Sequence, residues 1–170
     1  HFHGRVFGKT GGKHASGGLA CQEIMIQPAK AKGFGVGLMH SVEVYHELKK
    51  RIKTKFGGVY TNLGDEGGFV PPLKTINEAF SLIEESVASA GYTDEFVFAL
   101  DVAASNVYEN GKYVLDGKQF SSDSLTDYYL KLEQEHPLRS IEDGFSEEEF
   151  NHFTSFNSKT KYQNVGDDLL

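Results

Sequence analysis

Five consecutive apolar residues, Phe96-Val97-Phe98-Ala99-Leu100, run directly into Asp101, and this segment constrains the fold more than any other. A short apolar run without alternation is the pattern of a strand buried on both faces. Such a strand belongs inside a sheet covered by helices, with its charged end at a rim. Two further short strands end in the same way. Residues 138–141 lead into Glu142-Asp143, and residues 162–166 lead into Asp167-Asp168.

The segments between them read as helices and turns. In residues 36–56 the positions Leu38, Val42, Tyr45, Leu48 and Ile52 recur at helical spacing, and cations crowd the last turns, where they favour the helix dipole. Thr75 and Glu78 form a capping box that opens a second helix, with Ile76, Phe80, Ile83, Val87 and Ala90 as its apolar stripe and Gly91 as its stop. Asn110-Gly111, between apolar residues, predicts a hairpin. Leu125, Tyr128, Tyr129 and Leu132 give a third helix. Ser146 with Glu149 reads as a second capping box, before a helix lined by Phe150, Phe153 and Phe156. Residues 20–27 read as another strand. Helices that separate strands predict right-handed crossovers and a parallel sheet, an α/β chain with about four strands. A closed barrel of this type needs eight.

The acids at the strand ends carry the chemistry. Adjacent strands lie about 4.8 Å apart, so one acid from each end converges on a common point. Carboxylates held that close repel one another unless a cation lies between them, and magnesium is the usual hard dication for oxygen ligands. Either member of the pairs Glu142/Asp143 and Asp167/Asp168 fits the inward position. Residues 64–68, Gly-Asp-Glu-Gly-Gly, read as a polar turn or as a carboxylate presented on a backbone that approaches a ligand closely. His14 lies in a Gly-rich loop. His40, His46, His136 and His152 read as structural or solvent-exposed.

Composition limits the partners. Net charge is −7, with 39% hydrophobic and 24% charged residues, which argues against nucleic acid or an anionic membrane as the main partner. The sequence has no run of about 18 apolar residues. The one cysteine, Cys21, sits among apolar neighbours and reads as a buried, inert thiol, in keeping with a cytoplasmic setting. The first residue is His1, and a chain cut from a longer one is the economical reading.

An ordered series of these motifs resembles the enolase family over nearly all of residues 11–169. Gly11-Gly12-Lys13-His14-Ala15 followed by Cys21-Gln22-Glu23 is similar to that family's histidine loop and Gln-Glu pair. Ser41-Val42-Glu43-Val44-Tyr45-His46 is similar to its first barrel helix, and Asn62-Leu63-Gly64-Asp65-Glu66-Gly67-Gly68 to its acidic loop. Leu100-Asp101-Val102-Ala103-Ala104-Ser105, Ser140-Ile141-Glu142-Asp143 and Val165-Gly166-Asp167-Asp168-Leu169 follow in the family's order.

The resemblance implies the first part of a TIM-type (β/α) barrel over residues 11–170, with about half the strands, and an atypical segment at residues 1–10. It implies magnesium-dependent dehydration of 2-phosphoglycerate to phosphoenolpyruvate, a lyase reaction of glycolysis. Asp101, Glu142 and Asp167 correspond to the magnesium ligands, Glu66 to the acid that assists departure of the hydroxyl, Glu23 to its partner carboxylate, and His14 to the substrate-contacting histidine. Glu23, Glu142 and Asp167 also border the substrate. Full-length members are homodimers. Residues 1–10 do not resemble the strand expected before the histidine loop; Gly144 stands where the family usually has proline, and Ser16 where it usually has glycine. The family's lysine base has no counterpart in this sequence, so the isolated chain is expected to be inactive. A non-catalytic binding or scaffold protein is the alternative.

Overall fold

The computed structural model describes residues 4–8, 19–64 and 67–168. Its main sheet has five strands in the order β1-β2-β3-β7-β8, and the sheet is not closed. The strands are β1 (Gly4–Gly8), β2 (Glu23–Pro28), β3 (Phe96–Asp101), β7 (Leu138–Glu142) and β8 (Gln163–Val165). A separate three-stranded meander consists of β4 (Tyr108–Glu109), β5 (Lys112–Leu115) and β6 (Lys118–Phe120). Helices α1 (Phe34–Phe56) and α2 (Ile76–Ser89) separate β2 from β3, α3 (Ser122–Glu135) precedes β7, and α4 (Phe150–Lys159) precedes β8. No helix among the described residues is long and apolar enough to cross a membrane.

The all-parallel expectation holds for only part of the sheet. β3, β7 and β8 are parallel, whereas β1 with β2 and β2 with β3 are antiparallel. The cause is the number of helices in the crossover. A single helix returns the chain to start the next strand in the same direction; the α1–α2 pair reverses it once more. Gly4–Gly8, in the stretch without resemblance to the expected strand, forms the edge strand β1, and Phe7 is buried against the core.

The apolar stripe of α1 is rotated from the expected one. Its buried positions are Gly37, Ser41, Val44, Leu48 and Ile52, while Leu38 and Val42 are 39% and 45% exposed. The start of the helix packs too closely for large side chains: a Cβ on Gly37 would lie 2.9 Å from Cγ of Pro28. Further along, the expected pattern recovers at Leu48 and Ile52. The α2 stripe matches expectation, with Ile76, Phe80, Ile83 and Val87 buried and Phe80 stacked on Phe98 of β3 at 5.0 Å. Thr75 Oγ1 accepts the Glu78 N–H at 3.1 Å, and Gly91 ends the helix at φ 85°.

Two tight turns build the meander. Asn110 and Gly111 have φ of 52° and 75°, the paired positive values of a two-residue hairpin turn. Asp116 and Gly117 repeat the geometry at 52° and 72° and create β6, a strand the sequence reading did not include. Asp116 also ties the meander to α2 and α3, because its carboxylate accepts the Ile76 N–H at 3.0 Å and the Tyr128 hydroxyl at 2.5 Å.

The second capping box does not form as expected. Ser146 Oγ accepts the Glu148 N–H at 3.4 Å, but the Glu149 carboxylate turns away from the helix start. It accepts the hydroxyls of Tyr108 at 3.1 Å, Tyr113 at 2.8 Å and Ser122, which joins the meander, α3 and the start of α4. Phe156 is buried beside Tyr129 and Phe145, whereas Phe150 is 63% exposed.

Candidate active site

A single registered row crosses the sheet: Gly8 opposite Glu23, Glu23 opposite Asp101, Asp101 opposite Glu142, and Glu142 opposite Val165. The parallel strands contribute their last residues to this row. β2 runs the other way and contributes its first. The reversal of β2 therefore brings Glu23 to the same rim as the acids that end β3 and β7. Registered neighbours share a face of the sheet, so the carboxylates of Glu23, Asp101 and Glu142 project to the same side.

Asp101 feels its neighbours strongly. Burial, then the charges of Glu142 and Glu23, push its carboxyl up to about 7, against the Ala103 N–H that favours the charged form. Its Oδ1 accepts that N–H at 3.1 Å and its Oδ2 accepts Gln22 Nε2 at 3.1 Å. Ala103 sits at φ 47°, ψ 54°, a left-handed conformation that turns the chain sharply away from the acid. Glu23 is buried, Glu142 is half-buried and Asp167 is exposed.

Past β7 and β8 the acids come together again. Side-chain oxygens of Glu142, Asp143 and Asp167 lie within 4.8 Å of one another. Asp143 is buried at φ 45°, and Asp168 is exposed. The structure thus gathers Glu23, Asp101, Glu142 and Asp167 at one rim, with Asp143 in the cluster.

Two residues that the sequence reading gave no role of their own support this rim. Gln22 bonds the Asp101 carboxylate. Cys21 is fully buried, and its Sγ lies 3.0 Å from the Asp101 carbonyl oxygen and 3.2 Å from that of Glu23. Burial and then the Asp101 charge push its thiol well above the ordinary range, so the expected inert character holds.

His14 and Glu66 lie outside the described residues, as does Asp65. The flanks of the acidic loop are described. Gly64 N–H donates to the Gly68 carbonyl at 2.8 Å, and the Tyr45 hydroxyl donates to the Gly67 carbonyl at 2.7 Å. Phe69 bridges to Phe7, one residue from the row. His40 bonds Glu95 at 2.5 Å and His136 bonds Glu84 at 2.8 Å, structural pairings away from the rim.

Gly144 has a packing reason of its own. A Cβ there would lie 2.9 Å from Cγ2 of Ile141, and the Tyr129 hydroxyl donates to the Gly144 carbonyl at 2.9 Å. A larger residue would need Ile141 to move.

Residues 8–170 match the family described as enolase, C-terminal TIM barrel domain. The enolase of Methanocaldococcus jannaschii is 50% identical over 161 residues, which cover 95% of this chain and 38% of that protein. The enolase of Methanococcus maripaludis strain C5 is 46% identical over 164 residues, covering 95% and 38%. That of Methanococcus aeolicus is 44% identical over 164 residues, covering 95% and 39%. The chain therefore spans less than two fifths of the length of these relatives.

Proposed function

Because this chain belongs to the enolase family and forms part of its barrel, we propose that the protein carrying it dehydrates 2-phosphoglycerate to phosphoenolpyruvate with magnesium, in the cytoplasm and as a homodimer. The observation that carries this reading is the row of Glu23, Asp101 and Glu142 at one rim, with Asp167 beside it.

The donor set suits the metal. It is made of carboxylate oxygens alone, and Asp101 is raised to about 7 in the absence of a cation. Oxygen-rich sites of this kind take magnesium rather than a softer metal. Asp101, Glu142 and Asp167 would hold the ion. Bound there, it would act as a Lewis acid for the negative charge that develops on the substrate carboxylate.

In this reading the chain's own residues divide the remaining work. Glu66 gives its proton to the oxygen of the departing hydroxyl, which leaves as water. Glu23 serves as its partner carboxylate, whose like charge would favour the protonated form that Glu66 needs. His14 contacts the substrate from its loop. Removal of the carbon-2 proton falls to a lysine that these 170 residues do not supply.

The test is phosphoenolpyruvate formation from 2-phosphoglycerate, followed by ultraviolet absorbance. Activity in the whole protein that disappears in Glu23→Gln and Asp167→Asn supports the reading. A whole protein that is inactive with magnesium and substrate in excess sinks it. The isolated 170 residues are expected to form no product.

A further inference from the structure

The Asp143 carboxylate holds two main-chain donors of a neighbouring segment. Oδ1 accepts the Asp167 N–H and Oδ2 accepts the Asp168 N–H, each at 3.0 Å. Its own N–H donates to the Val165 carbonyl at 3.0 Å, and its carbonyl accepts the Ala104 N–H at 2.9 Å. One residue thus bonds to the segments leaving β3 and β8 while itself leaving β7. It does so from φ 45°, a conformation that Asp and Asn tolerate better than most other non-glycine residues.

Distance alone would make Asp143 a metal ligand, since its oxygen falls within the 4.8 Å cluster with Glu142 and Asp167. The hydrogen bonds assign it differently. Both oxygens accept main-chain N–H groups of the segment that carries Asp167, whereas the one main-chain donor on Asp101 comes from its own segment. A carboxylate held this way fixes backbone.

We propose that Asp143 is a positioning residue and not a ligand: its carboxylate locks the turn at Asp167 and Asp168 and so aims the Asp167 side chain at the metal position. This rests on the metal reading above. It also gives Asp143, the residue after β7, work of its own on the neighbouring loop.

Asp143→Asn tests it, because Asn keeps the shape and the left-handed preference but sets an amide NH2 against one of the two N–H donors. Two readouts are needed: hydrogen exchange of the Asp167 and Asp168 amides in the metal-free protein, and Mn2+ affinity by electron paramagnetic resonance. The expected result is faster exchange at those two amides, with Mn2+ binding weakened about 10- to 100-fold but still saturable. Asp167→Asn should instead weaken Mn2+ binding further and leave both amides protected. Loss of saturable Mn2+ binding in Asp143→Asn with both amides still protected would make Asp143 a ligand and overturn the proposal. No change in either readout would overturn it too. An unmodified protein that binds no Mn2+ would sink the metal reading, and the amide exchange would then decide alone whether Asp143 holds the turn. Should Asp143→Asn not fold, the unmodified protein still decides: unprotected amides at Asp167 and Asp168 refute the lock, and slow exchange despite exposed side chains supports it.

Discussion

Glu23, the first residue of β2, lies directly opposite Asp101, the last residue of β3. Their carboxylates, with that of Glu142 on the next strand, share one face and repel one another. Removing one charge has opposite effects on binding and on folding. With a chelator present at neutral pH or above, Glu142→Gln should raise the melting temperature by relieving the repulsion. On the proposed metal reading, the same change should weaken Mn2+ binding by at least about 100-fold, because a proposed ligand is removed. Calorimetry on one preparation, with and without metal, checks both. A melting temperature that falls in the chelator would show that the row is neutralised by other means.

Glu149 gives stability a defined pH dependence. Burial raises its carboxyl, but the hydroxyls of Ser122, Tyr113 and Tyr108 and the nearby His152 outweigh that, and the net position is below the ordinary 4.5. A carboxyl lowered on folding contributes stability above its unfolded pKa and loses it as the pH falls through the folded one. Glu149→Gln should therefore cost about 1 kcal/mol at pH 7, or about 2–4 °C in melting temperature, and the gap should narrow as the pH falls below 4.5. Thermal melts of both proteins across this range read it directly.

Asp116 joins the meander to the start of α2 through the Ile76 N–H and to α3 through the Tyr128 hydroxyl. Asp116→Ala leaves both donors without this acceptor and should cost about 1–3 kcal/mol in urea unfolding. Asp116→Asn keeps an acceptor and the positive φ, and should recover part of that loss. Equal losses in the two variants would place the effect in the turn rather than in the bonds.

The close approach of α1 to Pro28 makes Gly37 intolerant of bulk. Gly37→Leu should destabilise by about 1–3 kcal/mol despite its better helix propensity, by overpacking. Leu38→Gln, one position along and partly exposed, should change stability by less than about 0.5 kcal/mol. Comparable losses at both positions would mean that the expected stripe, not the observed one, is the packed face.

Much of this arrangement was legible because it rests on local chemistry. The Phe96–Leu100 run, the Asn110-Gly111 turn and the α2 stripe depend on neighbours in sequence, and each formed where expected. Asp116-Gly117 carried the same turn signal as Asn110-Gly111 and would have revealed β6 by the same rule. The direction of β2 was not legible in β2 itself, because an apolar strand carries no mark of its orientation; the two helices before β3 decide it. The packed face of α1 was hidden because Gly37 and Ser41 are buried for being small, and hydrophobic periodicity does not register small residues. Acids at the strand ends were visible, but the hydrogen bonds that Asp143 accepts from the Asp167 and Asp168 amides needed coordinates.

Pairing of β2 with β3 also sets the order in which the rim can come into being. Glu23 and Asp101 are separated by a long excursion that contains α1 and α2, so they meet only when that helical hairpin has formed and docked. Contacts so distant along the chain form slowly, because a large loop must close before they reward it. A nascent chain released before Asp101 emerges holds Glu23 but neither of the acids that end β3 and β7. On the proposed metal reading, divalent-ion affinity would therefore be a late reporter of folding, and one that local helix formation alone would not switch on.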